Sequence, residues 1–339
     1  MSDGGGPQAF EIGGVRVAPG ERAGVDLPVS VLSNHTPMAL AVEVVQGREA
    51  GPVFFLSAAL HGDEVMGVEI IRRVLRHAAL KRLKGTLLAV PVVNAFGFIA
   101  QSRYLPDRRD LNRSFPGSDH GSLASVLADL FLRQVVERAG YGIDLHSAGL
   151  HRTNLPQIRI SPGESELEAL AMAFGAPVVL VSPLRDGSLR KAAIERKVKV
   201  LVFEGGEALR FDEQAIRAGL AGILRVMRHL GMIEAEVPRA SAPVLSRSST
   251  WVRAPEGGIF RSAVRLGERV GRGTSVGAIS DPFGRRETPV SASDDGIVIG
   301  LSNLPVVNRG DALLHIARVK PARGGGISQT PQFDEDEII

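Results

Sequence analysis

The chain contains no cysteine. That excludes disulfides, thiolate metal sites and a cysteine nucleophile together, and it fits a reducing compartment. No stretch of 18 or more apolar residues occurs, so neither a membrane span nor a membrane partner is expected. The opening, MSDGGGPQAF, lacks a basic region followed by an apolar run, so no secretory signal is expected and a cytoplasmic location is the default. Aromatic residues are only 5% of the chain, and no charge sign dominates: 40 Lys+Arg stand against 37 Asp+Glu, a formal net charge of +3. The basic residues are scattered in short clusters such as Arg108-Arg109 and Arg285-Arg286. Without a basic stripe interleaved with aromatics, nucleic acid is not an expected partner.

What is present is the composition of a globular protein. The 339 residues, 44% of them hydrophobic, suffice for one large or two unequal domains with a core that needs no staple. Residues 1–8 read as a flexible leader, and residues 321–339, Gly-rich then acidic, as a disordered tail. Between about residues 50 and 232, apolar runs alternate with helical patterns. Val53–Leu60, Thr86–Val93, Gly142–Leu145, Val178–Val181 and Val198–Phe203 read as buried strands. Val68, Ile71, Val74 and Leu75 recur at helical spacing after Asp63, which is placed to cap that helix. Further helices are expected over Leu123–Arg138, Leu167–Phe174 and Asp212–Leu230. Buried strands alternating with helices imply an α/β layer fold, with a largely parallel or mixed sheet that strands from residues 9–50 extend.

The style changes near Pro238. Beyond it come short strands and Gly-rich turns with a weak repeat: Ala254-Pro-Glu-Gly-Gly-Ile-Phe and Val270-Gly-Arg-Gly, then Ala292-Ser-Asp-Asp-Gly-Ile-Val and Val307-Asn-Arg-Gly. Two β copies of this length suggest a small duplicated all-β domain. It resembles the barrel-sandwich hybrid of biotinyl and lipoyl carriers. The segment between the copies, Asp281–Pro289, has no lysine for a carrier to use. A structural domain is therefore expected over 238–320, after a main domain over 9–237, and it offers a surface for a homo-oligomer.

Four clusters carry candidate chemistry. His61 and Glu64 follow a buried strand at a spacing of three, on a loop entering a helix. Such a turn can aim an imidazole and a carboxylate at one point, as zinc requires. Alone, the pair is a weak signal and reads more readily as a surface histidine beside a carboxylate that answers the helix dipole. His146 closes a second apolar strand, with Asp144 two residues before it and placed to orient it. Glu204 follows the apolar run Leu201-Val202-Phe203, a setting that suits a general base. The loop from Arg103 to Gly117 is dense in arginine; Arg103 and Arg113 suit a substrate carboxylate or an oxyanion. Together the clusters offer two histidines and a carboxylate, a set that leaves a fourth zinc position open for water.

The order HGDE, N-x-x-G-F (Asn94 to Phe98), DLNRSFPG, DLHS and FEGGE resembles the succinylglutamate desuccinylase/aspartoacylase family, within the wider zinc-carboxypeptidase-like superfamily. The resemblance covers roughly residues 30–320. It implies a mixed sheet with helices on both faces and one zinc per chain, held by His61, Glu64 and His146. It further implies Glu204 as general base, Asn112 and Arg113 as the pair that contacts a carboxylate-bearing small molecule, and Arg103 as the arginine near the scissile carbonyl. The implied activity is hydrolysis of the amide bond of a small N-acyl amino acid or related N-acylated amine. A metallocarboxypeptidase acting on short peptides, and a non-catalytic metal- or ligand-binding module, are the competing readings. The other histidines, His35, His77, His120, His151, His229 and His315, are not expected to ligate.

Overall fold

A computed structural model describes residues 8–319. The tail read over 321–339 and all but residue 8 of the leader lie outside the described residues. The first strands, β1 (Phe10–Ile12) and β2 (Val15–Val17), form a small hairpin. β3 (Arg22–Val31) and β4 (Pro37–Gln46) pair antiparallel and make one edge of the main sheet. Beside them β5 (Glu49–Ala58), β6 (Lys84–Val90) and β7 (Tyr141–Ala148) run parallel. β8 (Arg152–Ile160) turns back, and β9 (Val178–Val181) lies parallel to it. β10 (Lys199–Glu207) inserts between β7 and β8, parallel to the first and antiparallel to the second. The sheet is therefore mixed.

Helices α1 (Met66–Arg76), α2 (Ala95–Ile99), α3 (Leu123–Gln134), α4 (Ser165–Phe174), α5 (Leu189–Glu195) and α6 (Glu213–His229) cover both faces. The period of two along β5 explains how. Phe54 and Leu56 point into a core with Ile70, Ile71, Phe174 and Ile223, from α1, α4 and α6. Phe55, one residue out of phase, points into a second core with Leu127, Phe131 and Ala193, from α3 and α5. Ser122, Ser188 and Asp212 each cap a helix by accepting a backbone N–H three residues on. The expected Asp63 cap does not form: α1 starts at Met66, its N-cap position is Val65, and no side chain bonds there. A turn closed by Glu64 N–H donating to His61 O delays the helix, leaving Asp63 too early in the chain to reach its free N–H groups.

The C-terminal region is made of strands: β11 (Val244–Ser246), β12 (Ser249–Arg253), β13 (Gly258–Ser262), β14 (Arg269–Val270), β15 (Ser275–Ser280), β16 (Glu287–Ser291), β17 (Gly296–Ser302), β18 (Val306–Val307) and β19 (Ala312–Arg318). β13, β15, β16 and β18 form a separate four-stranded sheet. β17, β19 and β12 instead extend the main sheet, because β17 pairs with β8, giving the order β12-β19-β17-β8-β10-β7-β5-β6-β4-β3. One hydrogen-bonded sheet thus runs from the first long hairpin into the C-terminal region. No helix among the described residues is long and apolar enough to cross a membrane.

The packing around Phe55 yields a test. Gly142 is its cross-strand partner, and a Cβ on Gly142 would sit 2.0 Å from the Phe55 ring. Phe55 cannot retreat, because its ring meets Phe131 edge-on at 6.2 Å. Gly142→Ala is expected to destabilise the fold by about 1–3 kcal/mol through overpacking. Urea unfolding of the two proteins measures it; an unchanged midpoint would refute the packing argument.

Candidate metal centre

Three parallel strands, β5, β7 and β10, end at the same edge of the sheet and bring the strand-end clusters together. At the exit of β5 the chain turns through Ala59, whose φ of 48° is in the left-handed region. Two backbone bonds pin this turn, from Val93 N–H to Ala58 O and from Asn94 N–H to Ala59 O. Gly62 then passes so close to α2 that a Cβ there would lie 1.9 Å from the Gly97 carbonyl carbon. Asn94 caps α2 by accepting from Gly97 N–H at 2.8 Å. The N-x-x-G-F segment is therefore the seat on which the HGDE turn rests.

The turn delivers Glu64 into the protein interior, where it is 3% exposed. His61 Nδ1 lies 2.7 Å from its Oε1, and His146 Nδ1 lies 2.7 Å from its Oε2. Ser147 N–H also donates to Oε2, at 3.1 Å. One ligand atom from each of His61, Glu64 and His146 falls within 4.8 Å of the others, and all three residues are buried. The outer nitrogens of both rings are occupied. His146 Nε2 meets Asp144 Oδ2 at 2.7 Å, and Ser57 Oγ donates to the other Asp144 oxygen at 2.7 Å. His61 Nε2 meets Asp110 Oδ1 at 3.1 Å. A carboxylate on each Nε2 holds a ring proton there and turns Nδ1 inward, where its proton bonds Glu64 until a metal takes its place. Two inward nitrogens and a buried carboxylate make a donor set that fits a divalent metal ion such as zinc.

Charge follows the same geometry. Burial alone would raise the Glu64 carboxyl, but His61 and His146 hold it well below the usual carboxylate range. Burial would lower both imidazoles; Asp144 and Glu64 instead push His146 well up, and Glu64 and Asp110 push His61 up. Burial would raise Asp110 too, but His61 and Arg103 pull it down.

Each residue singled out in the sequence has a place. Arg103 borders the centre, 2.9 Å from Asp110 Oδ2 and 3.4 Å from Glu64 Oε1. Glu204 is the cross-strand partner of His146, on the same face of the sheet and mostly buried. Asn112 and Arg113 sit on the short turn after Asp110, and no hydrogen bond or ion pair among the described residues joins them to the three ligand residues. Asn112 Oδ1 accepts from Leu189 N–H at 2.9 Å, tying this turn to the start of α5; Arg113 is exposed and donates to Asn112 O. His120 and His151 are exposed and outside the cluster. Asp110, Asn154 and Arg159 were not singled out in the sequence. Asp110 had a signal, an aspartate two residues before an asparagine in a cap-like turn. Asn154 and Arg159 lie on β8, whose polar RTNLPQIRI hides a strand. A depression of about 400 Å³ lined by Arg22, Arg48, Arg76 and Lys81 lies at the far end of α1, away from this chemistry.

Comparison with known proteins agrees with the geometry. The model of the succinylglutamate desuccinylase/aspartoacylase catalytic domain matches residues 50–230. Among curated relatives, the N-alpha-acetyl-L-2,4-diaminobutyric acid deacetylase of Halomonas elongata is 29% identical over 314 residues, 88% of this chain and 91% of that protein. A succinylglutamate desuccinylase/aspartoacylase structure from Rhodobacter sphaeroides is 27% identical with a TM-score of 0.77, over 87% of this chain and 95% of that one. The product-bound ectoine utilization protein EutE (DoeB) of Ruegeria pomeroyi, 24% identical with a TM-score of 0.79 over 88% and 95% of the two chains, shares the fold.

Two outcomes follow. His146→Ala should lose stoichiometric metal, and Asp144→Asn should weaken metal affinity by about 10–100-fold; elemental analysis and competition with a chelator read both, and full metal retention in His146→Ala would remove the site. The second outcome concerns pH. The raised imidazole pKa values stabilise the metal-free fold below the unfolded value of about 6.5, and that contribution fades as pH rises through the higher folded values. The depressed Glu64 and Asp110 values stabilise it above the unfolded carboxylate range, and that contribution is lost in acid. A metal must displace the imidazole protons, so binding should tighten as pH rises through and above the ordinary imidazole range and should release protons. Calorimetry in buffers of different ionisation enthalpy measures this; pH-independent binding without proton release would contradict it.

Proposed function

The chain belongs to the succinylglutamate desuccinylase/aspartoacylase family, and from that premise we propose that it is a zinc-dependent deacylase, with one zinc per chain, cleaving the amide bond of a small N-acyl amino acid or related N-acylated amine. The observation that carries the reading is the placement of Glu204 directly across from His146, beside a buried pair of histidines and a carboxylate.

When bound to His61, Glu64 and His146, zinc supplies Lewis acidity: it acidifies a water and polarises a carbonyl. The chain's own groups do the rest. Asp144 and Asp110 keep the Nε2 protons of the two imidazoles, so that both rings offer Nδ1. Glu204 accepts a proton from the attacking water and returns it to the leaving nitrogen, freeing an amine and a small carboxylate. Arg103, held against Asp110 at the rim of the centre, steadies negative charge developing on the acyl oxygen. Arg113, with Asn112, grips a carboxylate of the substrate, a task that suits a planar guanidinium. The curated relative is named for removing acetyl from N-alpha-acetyl-L-2,4-diaminobutyric acid, so N-acetylated amino acids are the substrates to test first.

Glu204→Gln should lower turnover by about 10²–10⁴-fold, the usual worth of a positioned base, while metal content stays unchanged. Acetate release and elemental analysis on one preparation decide it. A metal-loaded Glu204→Gln protein with wild-type turnover would sink this role.

A further inference from the structure

The next step rests on the reading of Glu204 as the base and concerns what holds it. Both of its carboxylate oxygens are engaged from the neighbouring strand β8. Asn154 Nδ2 donates to Oε2 at 2.9 Å, and Arg159 Nη1 lies 3.2 Å from Oε1. Each carboxylate oxygen can accept more than one hydrogen bond, so the grip leaves room for a proton on either.

The backbone makes this grip possible. Glu204 pairs with Gln157, but Gly206 pairs with Asn154, so three steps along β8 answer two along β10. In an even register Leu155 would face Gly206 and Asn154 would point to the other side of the sheet. The extra residue is a bulge, and it turns Asn154 to the face that carries Glu204. Behind Asn154 stands Gly300 of β17, its cross-strand partner. A Cβ on Gly300 would lie 3.1 Å from Asn154 Oδ1 and 3.1 Å from the Cβ of His315 on β19. His315 is fixed in turn. Its ring stacks on Trp251 at 4.3 Å, nearly parallel to it, and its Nε2 meets Ser249 Oγ at 2.8 Å. Asn154 and His315 thus flank the bare Gly300 backbone as its cross-strand partners on either side, on the way from the C-terminal strands to Glu204. Arg159 has no ion pair among the described residues other than that with Glu204. Its neighbour Arg190 feels the charge of Glu204 but hydrogen-bonds elsewhere, donating to Ser182 Oγ and Pro183 O.

We propose that Asn154 and Arg159 are positioning residues that hold Glu204 in one orientation beside His146, and that the C-terminal strands back this hold through Gly300 and His315. A free carboxylate at the end of a strand samples several rotamers, and only some face a water at the metal centre. Two donors on two oxygens select one rotamer before substrate arrives. The C-terminal strands therefore do more than extend the sheet.

The test uses metal-loaded full-length protein and N-alpha-acetyl-L-2,4-diaminobutyrate, or whichever of a panel of N-acetyl amino acids the wild type turns over fastest. Asn154→Ala and Arg159→Gln should each lower kcat by about tenfold or more, with KM within about threefold of wild type and metal content unchanged. Arg159→Lys should recover part of the loss. Gly300→Ala, a methyl added in the C-terminal strands, should lower kcat several-fold in the same manner. A raised KM at unchanged kcat in Arg159→Gln would overturn the proposal and make that arginine a reader of substrate. Wild-type kcat in both Asn154→Ala and Arg159→Gln, beside an inactive Glu204→Gln, would overturn the positioning role alone. Full activity in Glu204→Gln would remove the underlying role of Glu204 instead. Should Arg159→Gln fail to fold, Asn154→Ala and Arg159→Lys decide the question.

Discussion

A buried carboxylate between two imidazoles is the constraint around which the molecule is arranged. Isolated in a protein interior, Glu64 would be too costly to keep ionised. Its charge is sustained by His61, His146 and the Ser147 N–H, and those partners come from the turn after β5 and from β7. The carboxylate therefore requires β5 and β7 to lie side by side and to end together. It also requires the chain leaving β5 to turn sharply. That requirement accounts for the left-handed Ala59, for the close pass of Gly62 over Gly97, and for the Asn94 cap beneath them. It also accounts for the late start of α1, which leaves Glu64 free to aim at the histidines and not along the helix.

Around this centre lies a ring of groups whose work is orientation. Asp144, braced by Ser57, and Asp110, braced by Arg103, fix the two rings from outside. Asp110 also accepts from Asn112 N–H, so the position of one histidine is tied to the loop read as the substrate-binding segment. Asn112 extends that tie to the start of α5. On the other side, Glu204 is held from β8, and β8 is hydrogen-bonded to the C-terminal strands. The continuous sheet makes the β-rich region part of the framework that places the groups around the metal centre.

Much of this could be read from the residues, and the rest fails for physical reasons. Apolar runs such as Val178–Val181 become strands where expected, because both of their faces are buried and nothing polar interrupts them. Gly142–Leu145 extends to Tyr141–Ala148, since His146 and Ser147 are polar residues that the strand itself buries. The strand β8 escapes notice because Asn154, Gln157 and Arg159 make it look like a loop, and Pro156 reads as a breaker; its polar face meets the metal-centre side, not solvent. The short helix α5 is likewise hidden, since its first turn is fixed from outside by Asn112. Strand-end position identified His61, Glu64, His146 and Glu204 as candidates. Asp110 and Arg159 are separated from their partners by 49 and 45 residues of chain and meet them only in the folded sheet.

The central claim is that His61, Glu64 and His146 form a metal site approached through both Nδ1 atoms. Diffraction from zinc-soaked crystals, recorded above and below the zinc absorption edge, tests it most directly. The account predicts one anomalous peak per chain, about 2.0–2.2 Å from His61 Nδ1, His146 Nδ1 and a Glu64 oxygen. A peak elsewhere, coordination through Nε2, or no peak on crystals that retain the fold would contradict it.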